Sequence, residues 1–122
     1  MPASNSRTKG LPPAVVTPVA SLVQYQDGAV VSREILKKPG GTVTVFAFDA
    51  DQGLSEHTAP FDALVQVIEG TVEIAIDGQP QRVHAGELLL LPAHRPHALR
   101  ACDRFKMILT MIRSAAGEGK SA

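Results

Sequence analysis

Several features are scarce or missing in this chain of 122 residues, and each excludes a class of protein. Cys102 is the only cysteine, so no internal disulfide can form, which fits a reducing cytoplasm. Lysine plus arginine balances aspartate plus glutamate at 12 each, so no bulk charge favours nucleic acid or an anionic membrane. No apolar run approaches the roughly 18 residues of a transmembrane helix. The beginning of the chain also lacks the apolar core of a signal peptide. We therefore expect a cytoplasmic protein without nucleic-acid or membrane partners.

Recognisable nucleotide and hydrolase motifs are also missing. There is no phosphate-binding loop, no dinucleotide fingerprint and no nucleophile elbow. The length suits one domain with a real core and is too short for two. The organisation we predict is a flexible N-terminal arm over 1–20, which is rich in proline, a folded domain over 21–113 and a flexible tail over 114–122.

The folded part shows short strands separated by turns and no convincing helical period. Asp77-Gly78 is a strong hairpin signal, because both positions favour the positive φ of a type I′ turn. The predicted strands are Val30 to Leu36, Thr42 to Phe48, Leu64 to Glu69, Thr71 to Ile76, Gln81 to His84, Glu87 to Leu91, His97 to Ala101 and Phe105 to Ile112. Many short, evenly spaced strands predict an all-β sandwich or closed barrel.

The stretch from Gly86 to Leu99 is the most informative part of the chain. Two prolines, Pro92 and Pro96, force a turn after an apolar strand, and His97 then begins the next strand. Gly86, Pro92 and His97 stand in register with the second sequence motif of the cupin superfamily, which this chain therefore resembles. The chain departs from the motif at His94, where the family has glycine, and at Ala101, where it has asparagine. The resemblance implies a small antiparallel jelly-roll barrel.

The first motif of that family is degraded here. Counting back from Gly70, the family's first histidine falls on His57, its second on Ala59 and its glutamate on Ala63. A second register makes His57 the second histidine and Asp62 the acid, but it requires a one-residue bulge. Strand alternation favours the first register.

Metal-binding cupins commonly hold Fe, Mn, Ni or Zn with three histidines and one glutamate. Carried over to this chain, the resemblance leaves His57 and His97 as metal ligands, with His94 and Asp62 as possible additional ones. His94 has an alternative role as an exposed turn residue with positive φ. Asp62 has one as an acceptor that orients His57.

The function we predict is a small-molecule pocket with a reduced divalent-metal site on His57 and His97, its reaction unknown. One alternative is a metal-dependent dioxygenase, decarboxylase or isomerase, which needs further ligands from His94 or Asp62. The other is a metal-free module that binds or senses a small molecule. Tyr25 is a further candidate, as an acid–base partner of His57, as in metal-free sugar epimerases of the superfamily.

We also expect a homodimer. Three predicted strands, Thr42 to Phe48, Leu64 to Glu69 and Phe105 to Ile112, are apolar on both faces, whereas one small barrel has a single interior. The second face would form an exposed patch, and a two-fold dimer is the simplest arrangement that covers it. The alternative is that the N-terminal arm covers the patch, through Val15, Val16 and Val19.

Overall fold

Residues 10–113 are described by a computed structural model of the chain, and within them the fold is all-β. A single 3₁₀ turn, Val19–Leu22, precedes the strands. The strands are β1 Val30–Lys38, β2 Gly41–Phe48, β3 Gly53–His57, β4 Phe61–Glu69, β5 Thr71–Ile76, β6 Gln79–His84, β7 Leu88–Leu91, β8 His97–Ala101 and β9 Phe105–Arg113. Within this range no helix has the length and apolar character needed to cross a membrane.

The strands form two antiparallel sheets that face each other. The larger sheet has the order β1-β2-β9-β4-β7, and the smaller has the order β3-β8-β5-β6. Alternate side chains of both sheets fill the space between them. Fully buried core residues include Phe48, Val65, Ile74, Phe105 and Met107. The prediction of a small antiparallel jelly-roll barrel is confirmed.

All eight predicted strands are present, and the sequence missed only β3 among residues 10–113. That strand, GLSEH, is short and mostly exposed, so it shows no apolar alternation. It is a strand because it pairs with β8, where Leu54 lies opposite Leu99 and His57 opposite His97. A tertiary contact of this kind leaves no mark in the local sequence.

Turn conformations follow the residues predicted to make them. Asp77 and Gly78 have φ angles of 52° and 79°, as a type I′ hairpin turn requires. His94 has a φ angle of 68° in the turn between β7 and β8, where histidine is tolerated better than most residues. Gly70 also has a positive φ, and a Cβ there would clash with the Arg104 carbonyl oxygen. A glycine is therefore required at this motif position.

Residues 10–29, called the arm from here on, lie along the outer face of the larger sheet. The sequence prediction assigned residues 10–20 to a flexible arm and residues 21–29 to the folded domain. Val23 is buried there against Val45 and Ala47, and Val19 packs beside them. Val16, by contrast, is fully exposed. Part of the second apolar face is thus covered by the chain itself. The rest of the predicted arm, residues 1–9, and the predicted tail, 114–122, lie outside the described residues.

Candidate metal and ligand site

His57 and His97 lie side by side, although 39 intervening residues separate them in the chain. They are direct cross-strand partners on β3 and β8, so their side chains leave the sheet on the same face. The ring centroids are 4.4 Å apart and the ring planes meet at 66°. His97 is buried, whereas His57 sits at the exposed end of β3. The two imidazoles therefore form a pair that is open to solvent on one side.

Backbone carbonyls orient both rings. The Nδ1 of His57 lies 2.8 Å from the Ser55 carbonyl oxygen, and the Nδ1 of His97 lies 3.1 Å from that of Arg95. A carbonyl oxygen only accepts hydrogen bonds, so Nδ1 carries the proton in each neutral ring. Each Nε2 then keeps its lone pair. This is the usual arrangement of histidines that bind a metal through Nε2.

Both histidines line a small cavity between the sheets, with a volume of about 50 Å³. Ala59 and Ala63, the two degraded positions of the first motif, line the same cavity. Ala63 is buried, whereas its neighbour Asp62 is exposed on the other face of β4. The structure thus agrees with the register that places Ala63, not Asp62, at the glutamate position.

Asp62 and His94 lie near the site but outside the cavity lining. The Oδ1 of Asp62 accepts a hydrogen bond of 2.9 Å from the Ala93 amide. The His94 amide donates one of 2.8 Å to the Ala59 carbonyl, and its side chain is exposed. Both residues therefore secure the turn that precedes His97, and Asp62 does not orient His57 in this structure.

The donor set fits some metal ions better than others. Among residues 10–113, no three histidine, cysteine, aspartate or glutamate side chains converge on a common point. The three-histidine, one-glutamate set does not fit, because Ala59 and Ala63 replace two of its members. Two imidazoles alone do fit an ion that accepts nitrogen ligands, such as Zn, Ni, Cu or Fe, provided other ligands complete its coordination.

Tyr25 lies on the outside of the larger sheet, not beside His57. Its hydroxyl donates a hydrogen bond of 2.5 Å to Oε2 of Glu69, and Nζ of Lys106 lies 4.9 Å from its ring centroid. Burial, reinforced by the hydrogen bond to Glu69, raises the pKa of Tyr25 above its usual range. The predicted acid–base pair of Tyr25 and His57 is wrong, because Tyr25 lies on the outer face of the larger sheet, whereas His57 faces the cavity between the two sheets.

Lys106 is the residue of this outer cluster that the sequence reasoning missed. It is buried, and its ammonium donates a hydrogen bond of 2.7 Å to the Ala20 carbonyl oxygen. The same group lies 3.8 Å from Oε2 of Glu69. A signal was available, since Lys106 is the single charge inside the apolar strand Phe105–Arg113 before its last residue. A buried charge in such a strand needs a partner.

A larger groove on the outer face, with a volume of about 580 Å³, has no side chain suited to catalysis or metal binding. It is lined by residues 11–16 together with Ile35, Leu36 and Val43. None of these side chains carries a titratable or metal-binding group. The smaller cavity with its two imidazoles is therefore the better candidate site.

Comparison with known proteins points to one family. The family model described as "Cupin domain" matches residues 44–113. A conserved protein of unknown function from Streptococcus pyogenes has 31% identity and a TM-score of 0.83, over 88% of this chain and 94% of that one. A cupin superfamily protein from Desulfitobacterium hafniense has 27% identity and a TM-score of 0.81, over 87% and 97%.

A third structure, a Cupin 2 conserved barrel domain protein from Leptotrichia buccalis, has 39% identity and a TM-score of 0.75. That match covers 77% of this chain and 46% of the other, so this chain corresponds to about half of that protein. No protein with a curated description matches the chain.

Proposed function

Because the chain belongs to the cupin superfamily, we propose that it is a small-molecule-binding cupin that holds a transition-metal ion on His57 and His97. The observation that supports this most strongly is the paired imidazoles in one cavity, each with Nδ1 tied to a backbone carbonyl. The possible ions are Fe, Mn, Ni and Zn, and imidazole ligation favours Zn, Ni and Fe among them.

The chain's own residues orient and shield such a site. The β3–β8 pairing fixes the spacing of the two rings, and the Ser55 and Arg95 carbonyls fix their tautomers. Apolar side chains exclude water from the rest of the cavity, namely Leu54, Phe61, Leu91, Leu99 and Leu109. An ion bound there supplies a Lewis-acidic centre for an external carboxylate or diketone-like ligand.

The cavity volume limits what can bind beside the ion. A cavity of about 50 Å³ is well below the roughly 300–1,000 Å³ of pockets that enclose drug-sized ligands. We therefore propose that an external ligand enters only with its metal-binding end and leaves the remainder at the exposed His57 side. Such a ligand is small or extended.

Metal titration of two single variants tests the proposal. We expect His57→Ala and His97→Ala each to abolish binding of Zn²⁺ or Ni²⁺ at micromolar concentration, measured calorimetrically, because one imidazole is a weak site. The far-ultraviolet circular dichroism should remain that of the wild type. His84→Ala is the matched control, since His84 is an exposed histidine whose Nδ1 contacts Glu87. Undiminished binding by His57→Ala would overturn the proposal.

A metal-free binding or sensing module is the second candidate. The observation that favours it is the mainly apolar cavity lining, which needs no ion to hold a small apolar group. The same titration, extended to Fe²⁺ and Mn²⁺, distinguishes the two, because wild-type protein that binds none of the four ions leaves only the metal-free function.

We also propose that the protein is a homodimer. The arm covers the β1–β2 side of the larger sheet, but the outer face of β9, β4 and β7 keeps an apolar patch, defined by Leu64, Leu88, Leu90 and Ile112. Leu64 and Leu90 are direct cross-strand partners, and all four side chains are substantially exposed. A second copy related by a two-fold axis would cover the same patch on both chains.

A cytoplasmic location is proposed on the basis of the single cysteine. Cys102 is half-buried and has no second cysteine with which to pair. Cell fractionation with an antibody to the protein tests this location, and recovery in the exported fraction would contradict it.

A further inference from the structure

Two methionines share the cavity with the histidines. Met107 and Met111 lie on the inward face of β9 and both line the cavity. Met107 is completely buried in the core, whereas Met111 is only partly buried. A thioether sulfur is a soft metal ligand, so the donor set of the cavity is larger than its histidines.

Met111 lies where the degraded motif leaves room. It is the direct cross-strand partner of Ala63 in the β4–β9 pairing, so both side chains leave the sheet on the same face. Ala63 occupies the position at which the first motif has its glutamate, and its methyl group leaves most of that volume free. The unbranched, flexible side chain of Met111 is suited to such a gap.

Every available donor in this cavity is neutral. The two imidazoles carry their proton on Nδ1, the thioethers have no charge, and the other lining side chains are apolar. The solvation energy lost on burial scales with the square of the charge, so a bare dication loses about four times as much as a monocation of the same size. Cu(I) carries one charge and is the ion that thioether ligands select.

We propose that the cavity binds Cu(I) through Nε2 of His57, Nε2 of His97 and the sulfur of Met111. This inference rests on the proposed two-histidine metal site and specifies its third donor and its preferred ion. Binding requires no electron transfer, because copper enters and remains as Cu(I). Met107 lies four residues before Met111 on the same face of β9, is completely buried in the core and is not one of the three proposed ligands.

Competition with the Cu(I) chelator bicinchoninate, under anaerobic conditions with ascorbate, tests the proposal. We expect Met111→Leu to weaken Cu(I) binding at least about tenfold, since leucine keeps the volume but removes the sulfur. Met107→Leu, the matched control in the same cavity, should bind as the wild type does. His57→Ala should lose Cu(I) binding. All these measurements are repeated in a His94→Asn background, so that copper held at the surface by this exposed histidine is not counted.

A parallel Zn²⁺ titration makes the outcomes distinguishable. We expect Met111→Leu to bind Zn²⁺ as the wild type does, because zinc gains little from a thioether. The Cu K-edge absorption of the loaded wild type should show sulfur beside imidazole nitrogen, and that sulfur should be missing in Met111→Leu. Equal Cu(I) affinity of Met111→Leu and the wild type overturns the copper proposal while the histidine site stands. Wild-type protein that binds neither ion overturns both.

Discussion

Replacing Lys106 by methionine should destabilise the fold by releasing the arm from the sheet. The substitution keeps most of the aliphatic stem and removes the ammonium, together with its hydrogen bond to Ala20 and its contact with the Tyr25 ring. A hydrogen bond from a charged group contributes about 1.5–3 kcal/mol. The Glu69 carboxylate is partly exposed and lies 3.8 Å from the ammonium, so this ion pair adds only about 0–1 kcal/mol. We expect a net loss of about 2 kcal/mol, since desolvation of the ammonium offsets part of the total.

Urea unfolding and thermal melting measure this loss. For a domain of this size, about 2 kcal/mol corresponds to a fall in Tm of about 8–16 °C. Limited proteolysis should cut Lys106→Met faster than the wild type between residues 10 and 29, because the arm has lost its attachment at Ala20. Lys37→Met is the matched control, since Lys37 is an exposed lysine on the edge strand β1. Equal stability of Lys106→Met and the wild type would refute the reasoning and show that desolvation cancels the hydrogen bond.

Three further predictions concern acid stability, the β7–β8 turn and assembly. Hydrogen bonds from Arg104 and two backbone amides lower the pKa of Asp49 from 3.8 to about 2 in the folded protein. The ionised Asp49 therefore stabilises the fold fully above the pKa of the unfolded chain, and this stabilisation is lost as the pH falls through the pKa of the folded protein. Asp49→Asn should therefore flatten the pH dependence of stability between these values, and an unchanged acid-unfolding curve would contradict this. His94→Asn should leave stability and metal content almost unchanged, because asparagine tolerates the positive φ at this position. A tenfold or greater loss of metal affinity, about 1.4 kcal/mol, would instead show that His94 is a ligand. Leu90→Lys should yield a monomeric mass in light scattering while Leu36→Lys, exposed outside the patch, stays dimeric; a wild-type monomer would contradict the dimer.

The strands and turns of this barrel were largely predictable because their signals are local. Asp77-Gly78 specifies a hairpin by its own backbone preferences, and the prolines between β7 and β8 exclude any continued strand. β3 was not predictable in this way, since its pairing with β8 is a contact between distant segments. The fold of the arm over the sheet depends on Lys106 and Ala20, which are 86 residues apart in the chain.

The candidate site was predictable only in part. The motif register predicts that His57 and His97 belong to one site, and in the structure they are cross-strand partners. The roles of Asp62 and His94 depend on hydrogen bonds to Ala93 and Ala59, which no spacing rule indicates. Nothing in the sequence indicates that Met111 is a ligand, because methionine at a strand position is usually part of the core packing.

Metal content after loading tests the central claim, a single metal site shared by His57 and His97, most directly. Purified protein would be incubated with each of Zn, Ni, Fe and Cu, passed through a desalting column and measured by elemental analysis. We expect about one ion per chain for the wild type with at least one of these metals, and none above background for His57→Ala or His97→Ala. Metal retained at the wild-type level by either variant, or no retained metal in the wild type, would contradict the claim.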